Sequence, residues 1–164
     1  VPADARMTCI FSLCYAIATT LQESAMAIEL DHFIVPCRNR IASARLLAGL
    51  LGVPWEETSF GVFSPVYINN GLTLDFQQTE EAYPIAHYCF RVSQQEFDAI
   101  LARIQAAGIT YRSNVGGPVD MKINKDYGGD MIYWNEPDGH QWEILTVSYA
   151  RQGGAAIEAS TTRS

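Results

Sequence analysis

The sequence predicts an α+β fold built from two tandem β-α-β-β-β modules whose curved mixed sheets border a central cleft. Three observations predict it. A histidine-bearing strand runs into an amphipathic helix twice. Each helix stops at a glycine. Each half then closes on a turn pair, Asn-Gly or Asp-Gly, followed by a strand that carries a carboxylate.

The second helix is the more sharply drawn. Ser93-Gln94-Gln95-Glu96 is a capping box, in which the serine side chain takes a backbone amide and the glutamate reaches back to the cap. Phe97, Ile100, Leu101 and Ile104 follow at i, i+3, i+4 and i+7, and Gly108 supplies the left-handed residue that ends the helix. The first helix runs from about Arg40 to Leu51, with Ile41, Ala44, Leu47, Ala48 and Leu51 on one face and Gly52 at its stop. Ile28–Val35, containing His32, precedes the first helix. Ile85–Val92, containing His87, precedes the second. The distance from histidine to stopping glycine differs by one residue between the halves. Asn69–Phe76 aligns with Pro137–Ile144, each with a carboxylate four residues after its glycine: Asp75 in the first half, Glu143 in the second. The middle strands fall near Gly61–Ile68, Thr110–Ser113 and Asp130–Asn135. The first module spans about 27–79 and the second about 83–148, within a domain over 27–150. Residues 1–26 read as an N-terminal extension and 151–164 as a Gly/Ala/Ser/Thr-rich flexible tail.

Bulk properties narrow the function. Of 164 residues, 48% are hydrophobic and 18% charged, enough apolar material for a core. The formal net charge of −7 argues against a nucleic-acid partner, which needs a basic face. No apolar run approaches the roughly 20 residues that span a bilayer, so no membrane partner is expected. Cys9–Ala18 is a short apolar run after Arg6 and weakly resembles a signal peptide. The strand pattern begins just after Met26, which favours an extension instead. Cys9, Cys14, Cys37 and Cys89 form neither a C-x-x-C pair nor a disulfide framework, which fits reduced thiols in the cytoplasm.

Strand alternation places the chemistry. Gln141, Glu143 and Leu145 share one face of the last strand, and Trp142, Ile144 and Thr146 the other. Thr73, Asp75 and Gln77 oppose Leu72, Leu74 and Phe76 in the matching strand. The apolar faces should take the helices, leaving the polar faces to solvent or to a cavity. His87 lies on a face with Ile85, Cys89 and Arg91, and His32 with Ile28, Leu30 and Ile34. A lone strand histidine is ordinarily a hydrogen-bonded core residue. Two at matched positions, each with a matched carboxylate, point instead to a divalent-metal site. Two neutral imidazoles and a glutamate make a facial set for Fe2+, Mn2+ or a similar ion, with zinc also accommodated. Asp75 is a possible fourth ligand, one methylene shorter than Glu143.

These residues resemble the vicinal oxygen chelate superfamily of glyoxalases, bleomycin-resistance proteins and extradiol dioxygenases. The resemblance runs from about Ile28 to Val147. It rests on Leu30-Asp-His-Phe-Ile-Val35 leading into Ala42-Ser-Ala-Arg45 and Leu50-Leu-Gly52, and on Ala86-His-Tyr88. Its most specific part is Glu136-Pro-Asp-Gly-His-Gln-Trp-Glu143, close to the family ending D-P-D-G-x-x-x-E, with Glu136 in place of the first Asp. The resemblance implies a glyoxalase-like fold and metal ligands His32, His87 and Glu143. The ion would be Fe2+, Mn2+, Zn2+ or Ni2+. Asp75 stands at the fourth-ligand position of glyoxalase I members, and its short side chain leans toward the three-ligand types. The implied function is a metal-dependent enzyme acting on a small oxygen-rich substrate by lyase, isomerase or dioxygenase chemistry, with a homodimer as its assembly. Glu143 is the one carboxylate nominated for catalysis. Arg91, on the His87 face, and Tyr127, in the segment Asn124-Lys-Asp-Tyr-Gly-Gly129, are nominated to bind substrate. The alternative is a metal-free module that sequesters a drug, as bleomycin-resistance relatives do. The intact ligand set disfavours it.

Overall fold

A computed structural model describes residues 28–58 and 61–150, so the expected extension and tail lie outside the described residues. The chain runs β1 (His32–Cys37), α1 (Arg40–Leu51), β2 (Phe63–Asn69), β3 (Leu72–Gln78), β4 (His87–Arg91), α2 (Gln94–Ala106), β5 (Tyr111–Arg112), β6 (Met131–Asn135) and β7 (Gln141–Leu145). The strands form two open mixed sheets, ordered β1-β3-β2 and β4-β7-β6-β5. In each half the histidine strand lies parallel to the carboxylate strand, β1 on β3 and β4 on β7. The second half is a full β-α-β-β-β unit. In the first half the strand expected between helix and hairpin is reduced to an antiparallel bridge from Trp55 to Val66. Among the described residues no helix is long and apolar enough to cross a membrane.

Both helices form as their sequences predict. Asn39 caps α1 by accepting from the Ala42 amide, and Gly52 closes it at φ 76°. Ser93 and Glu96 make the reciprocal capping box on α2, which holds the Glu96 carboxyl below its usual range. The two halves then share one core. Val35, Val66, Leu74 and Phe76 from the first sheet meet Ile132, Trp134, Trp142 and Ile144 from the second. Ala44, Leu47, Phe97, Ile100 and Ile104 of the helices belong to the same cluster. Both apolar sheet faces therefore pack toward the helices, and both polar faces are directed away from that core.

Two polar clamps lock the halves. Arg103 of α2 donates from Nε to the Leu50 carbonyl (2.7 Å) and from Nη2 to that of Leu51 (2.9 Å), satisfying carbonyls that the end of α1 leaves open. The other clamp is the turn before β7. Asp138 accepts from the Arg38 amide (2.8 Å), from Ser43 Oγ (2.6 Å) and from the Tyr83 hydroxyl (3.3 Å). Glu136 shapes the turn by accepting from the amides of Asp138 and His140. His140 is fully buried. Its Nδ1 accepts from the Ala86 amide (3.0 Å), which leaves the proton on Nε2, facing the Pro36 carbonyl at 2.8 Å. One imidazole thus ties the end of β1 to the residue that precedes β4.

Replacing His140 with Leu strands the Ala86 amide and the Pro36 carbonyl in the interior. Each orphaned group costs about 1–3 kcal/mol. Urea unfolding should show a loss of at least 2 kcal/mol for His140→Leu and about 1 kcal/mol for the cap variant Ser93→Ala. Equal losses would mean that the imidazole is not a clamp.

Candidate functional site

Sheet alternation delivers His87 and Glu143 to the polar face of the second sheet. In the β4–β7 register His87 pairs with Gln141 and Cys89 with Glu143, so the four side chains form a square on one face. The His87 Nε2 lies 2.8 Å from Glu143 Oε2, and its Nδ1 lies 2.8 Å from Gln141 Oε1. Tyr133, opposite Glu143 on β6, sets its ring edge-on to His87 at 5.9 Å. The hydroxyl of Tyr149, just past β7, donates to Glu143 Oε2 at 3.3 Å.

The Glu143 carboxylate is completely buried, whereas the His87 side chain is 37% exposed. A buried carboxylate is expensive unless several donors compensate it. Here Oε1 has no hydrogen-bond partner among the described residues. The imidazole and the Tyr149 hydroxyl both contact Oε2 alone. A carboxylate oxygen left open next to an imidazole nitrogen fits a cation better than it fits the finished hydrogen-bond pattern of a structural pair. The same burial and the nearby carboxylate raise the neighbouring acids: the Cys89 thiol is pushed up to about 12, the Tyr133 hydroxyl is held protonated well above its ordinary range, and the Tyr149 hydroxyl is raised.

His32 and Asp75 lie elsewhere. Both are on the polar face of the first sheet, where His32 pairs with Thr73 and Ile34 with Asp75. His32 is largely exposed, and its Nδ1 sits 2.7 Å from Asp31 Oδ2. That hydrogen bond raises its pKa, partial desolvation opposes it, and the charges of Asp31 and then Asp75 add smaller rises. So the chain brings two of the three expected metal ligands together and leaves the third on the other sheet. Among the described residues no cluster of three or more His, Cys, Asp or Glu side chains is poised to hold a metal.

The two nominated substrate contacts stand at the margins. Arg91 is exposed at the end of β4, on the rim of a cleft of about 390 Å³ between the halves that Leu51, Val53, Ile68, Leu72 and Ile100 also line. Tyr127 is half-exposed and packs its ring on Tyr149 at 5.4 Å, one residue removed from Glu143. The adjoining Gly129 has a packing reason: a Cβ there would meet Thr146 Oγ1 at 2.5 Å, so the loop presses on the chain leaving β7. The sequence did not single out Tyr149, and it left Tyr133, with Tyr67, Tyr127 and Trp134, between pocket lining and core without placing it beside Glu143. A partner a few residues past a strand end has no periodic signal, and an aromatic on a strand reads as core.

No protein-family model matches the chain. The solved structure of oxidase ChaP-H2 is 40% identical, superimposes with a TM-score of 0.71, and is matched over 97% of its length and 76% of this chain. A glyoxalase/dioxygenase from Nostoc punctiforme, 20% identical with a TM-score of 0.54 over 73% of this chain and 91% of its own, shares the fold. The glutathione transferase FosA of Serratia marcescens is 32% identical over 72 residues, 44% of this chain and 44% of that protein, so the match spans less than half of this curated relative. The fold, the paired histidine and carboxylate strands and the near full-length likeness to ChaP-H2 agree, and the chain belongs to the vicinal oxygen chelate superfamily.

Proposed function

We propose that the protein is a divalent-metal-dependent oxidoreductase whose site is completed between two copies of the chain, with His87 and Glu143 from one copy and His32 from the other. The observation that carries this reading is the buried Glu143 carboxylate, with one oxygen against His87 Nε2 and the other making no hydrogen bond of ordinary length among the described residues, although the Cys89 thiol and the Tyr133 hydroxyl lie near the carboxylate. An imidazole nitrogen, a second imidazole and a carboxylate suit Fe2+, Mn2+, Zn2+ or Ni2+. A redox-active ion held there would supply Lewis-acid and electron-transfer chemistry to a small substrate offering two neighbouring oxygens. The likeness to ChaP-H2, described as an oxidase, favours oxidation over lyase or isomerase chemistry.

The need for two copies follows from the packing. Both polar sheet faces point away from the common core, so His32 cannot reach His87 without unpacking it. β1 and β4, which carry the two histidines, are each the edge strand of their sheet among the described residues, with one side not paired to another strand there. Ile28, Leu30 and Ile34 expose 99%, 62% and 48% of their surface on the His32 side, an apolar strip suited to a second copy. In this reading Asp75 orients a ligand or water from beside Ile34. Glu143 serves as a ligand held dry by Tyr133 and Tyr149, and the protonated hydroxyls of those tyrosines donate to it or to substrate. Arg91 and Tyr127 border the substrate. A metal-free drug-sequestering role gives the buried, half-partnered carboxylate no purpose.

A mixing experiment tests the assembly. His32→Ala and Glu143→Ala variants should each take up no stoichiometric ion. Co-refolded in equal amounts, they should recover about a quarter of the wild-type metal content, since half the dimers are mixed and each of these has one intact site. A site within one chain predicts no recovery. Wild-type protein that takes up no ion rules out the metal-enzyme reading.

The pH response of His32 follows from its Asp31 partner. A raised pKa means that the imidazole keeps its proton to higher pH, and a cation must displace that proton. Asp31→Asn should therefore lower the His32 titration midpoint seen by NMR, and should extend metal uptake toward acid pH. A midpoint that rises or stays put would contradict the assignment.

A further inference from the structure

We infer that Gln141 is a positioning residue for the metal site: it fixes the orientation of the His87 ring so that Nε2 is the nitrogen presented toward Glu143 and to a cation. The inference rests on the proposed metal site and adds to it a residue that is neither a ligand nor a substrate contact.

Three contacts in series carry it. Gln141 and His87 are register partners on neighbouring parallel strands, with the Gln141 amide donating to the Ala86 carbonyl at 2.9 Å. Their side chains therefore stand side by side on one face. Gln141 Oε1 lies 2.8 Å from His87 Nδ1. A side-chain amide can be turned over to exchange oxygen and nitrogen, so this contact alone does not say which atom faces the ring. The third contact does. Gln141 Nε2 donates to the Val115 carbonyl at 2.8 Å, and turning the amide over would set two oxygens against each other there. Oε1 is thus held toward Nδ1 as an acceptor, and Nδ1 must carry a proton. Nε2, 2.8 Å from Glu143 Oε2, also points a proton at the carboxylate in the metal-free chain, since a carboxylate oxygen only accepts, and that is the proton a cation displaces to reach the Nε2 lone pair.

Val115 belongs to the segment after β5, whose shape is fixed by Asp120 accepting from the Ser113 amide (3.0 Å) and hydroxyl (2.6 Å). The ring orientation is therefore set by a clasped backbone carbonyl and not by the histidine itself. Nothing in the ligand pattern demands a glutamine between Gly139-His140 and Trp142-Glu143. A residue at this position that lacks an acceptor leaves the ring free to turn.

Two variants of the full chain separate the positioning role from a merely structural one. Gln141→Leu removes acceptor and donor together. Gln141→Glu keeps an acceptor for Nδ1–H and loses the donor to Val115. In metal-free wild-type protein labelled with 15N-histidine, NMR should show a His87 Nδ1–H that exchanges slowly with water. It should persist in Gln141→Glu and exchange rapidly in Gln141→Leu. Zn2+ titrated in competition with a chromophoric chelator should bind Gln141→Leu about 10- to 100-fold more weakly than wild type, and Gln141→Glu nearly as well as wild type. A slowly exchanging Nδ1–H that survives in Gln141→Leu, or a Gln141→Glu variant as impaired as Gln141→Leu, overturns the inference. Wild-type protein that takes up no Zn2+ defeats the proposed function, and the exchange measurement then decides the role of Gln141 by itself.

Discussion

The turn from Glu136 to His140 is the constraint on which the rest of the molecule depends. Two half-domains can share a core only if their strands keep a fixed separation, and apolar packing sets such distances loosely. The His140 ring sets this one with hydrogen bonds to backbone groups of both halves, and in only one protonation state can it serve Ala86 and Pro36 together. Asp138 adds the start of α1 to the same knot through Ser43 and the Arg38 amide. β7 leaves this knot directly, so the position of Glu143 is referred to both modules and not to its own sheet alone. The segment resembling D-P-D-G-x-x-x-E is recognisable by its last glutamate. In this chain its first five residues are the joint that places that glutamate.

Much of this was legible in the sequence because it is local. The capping box at Ser93 and Glu96, the stops at Gly52 and Gly108 and the polar–apolar alternation around Asp75 and Glu143 are dictated by neighbours within a few residues, and each stands where the pattern put it. The pairing of His87 with Glu143 was legible from the repeat, since a parallel strand pair places matched faces together. Less legible was the direction in which the two polar faces point. Alternation says which residues share a face, and it says nothing about how one sheet lies against another. His32 and His87 occupy equivalent positions in their modules, yet the shared core directs their faces apart. The clamp roles of Arg103 and His140 were hidden for the same reason. Their partners are main-chain groups far away in sequence, and a backbone carbonyl has no side-chain identity for a pattern to catch.

The outer face of the second sheet shows how the fold tolerates a carboxylate with no exposure. Met131, Tyr133 and Leu145 form a small apolar cluster of their own on that face, separate from the main core. Gly129 lets the preceding loop close down on Thr146 and Val147, and Tyr127 backs Tyr149. These contacts keep water from Glu143, and the donors they bring, the Tyr149 hydroxyl and the imidazole, reach Oε2 and leave Oε1 open among the described residues. In a dry setting a charge interacts more strongly with whatever does approach it. The same exclusion that makes the carboxylate costly to bury thus makes it selective. A neutral ligand gains little from Oε1, an anion is repelled, and a divalent cation gains most, the more so with an imidazole nitrogen already within 3 Å. Positioning then matters more than donor count. An imidazole on an exposed edge strand could turn away at small cost, and what prevents this is a glutamine whose own orientation is held by the main chain at Val115. The rigidity of the site is borrowed from backbone hydrogen bonds, and the ligands themselves need contribute only their charge and their lone pairs.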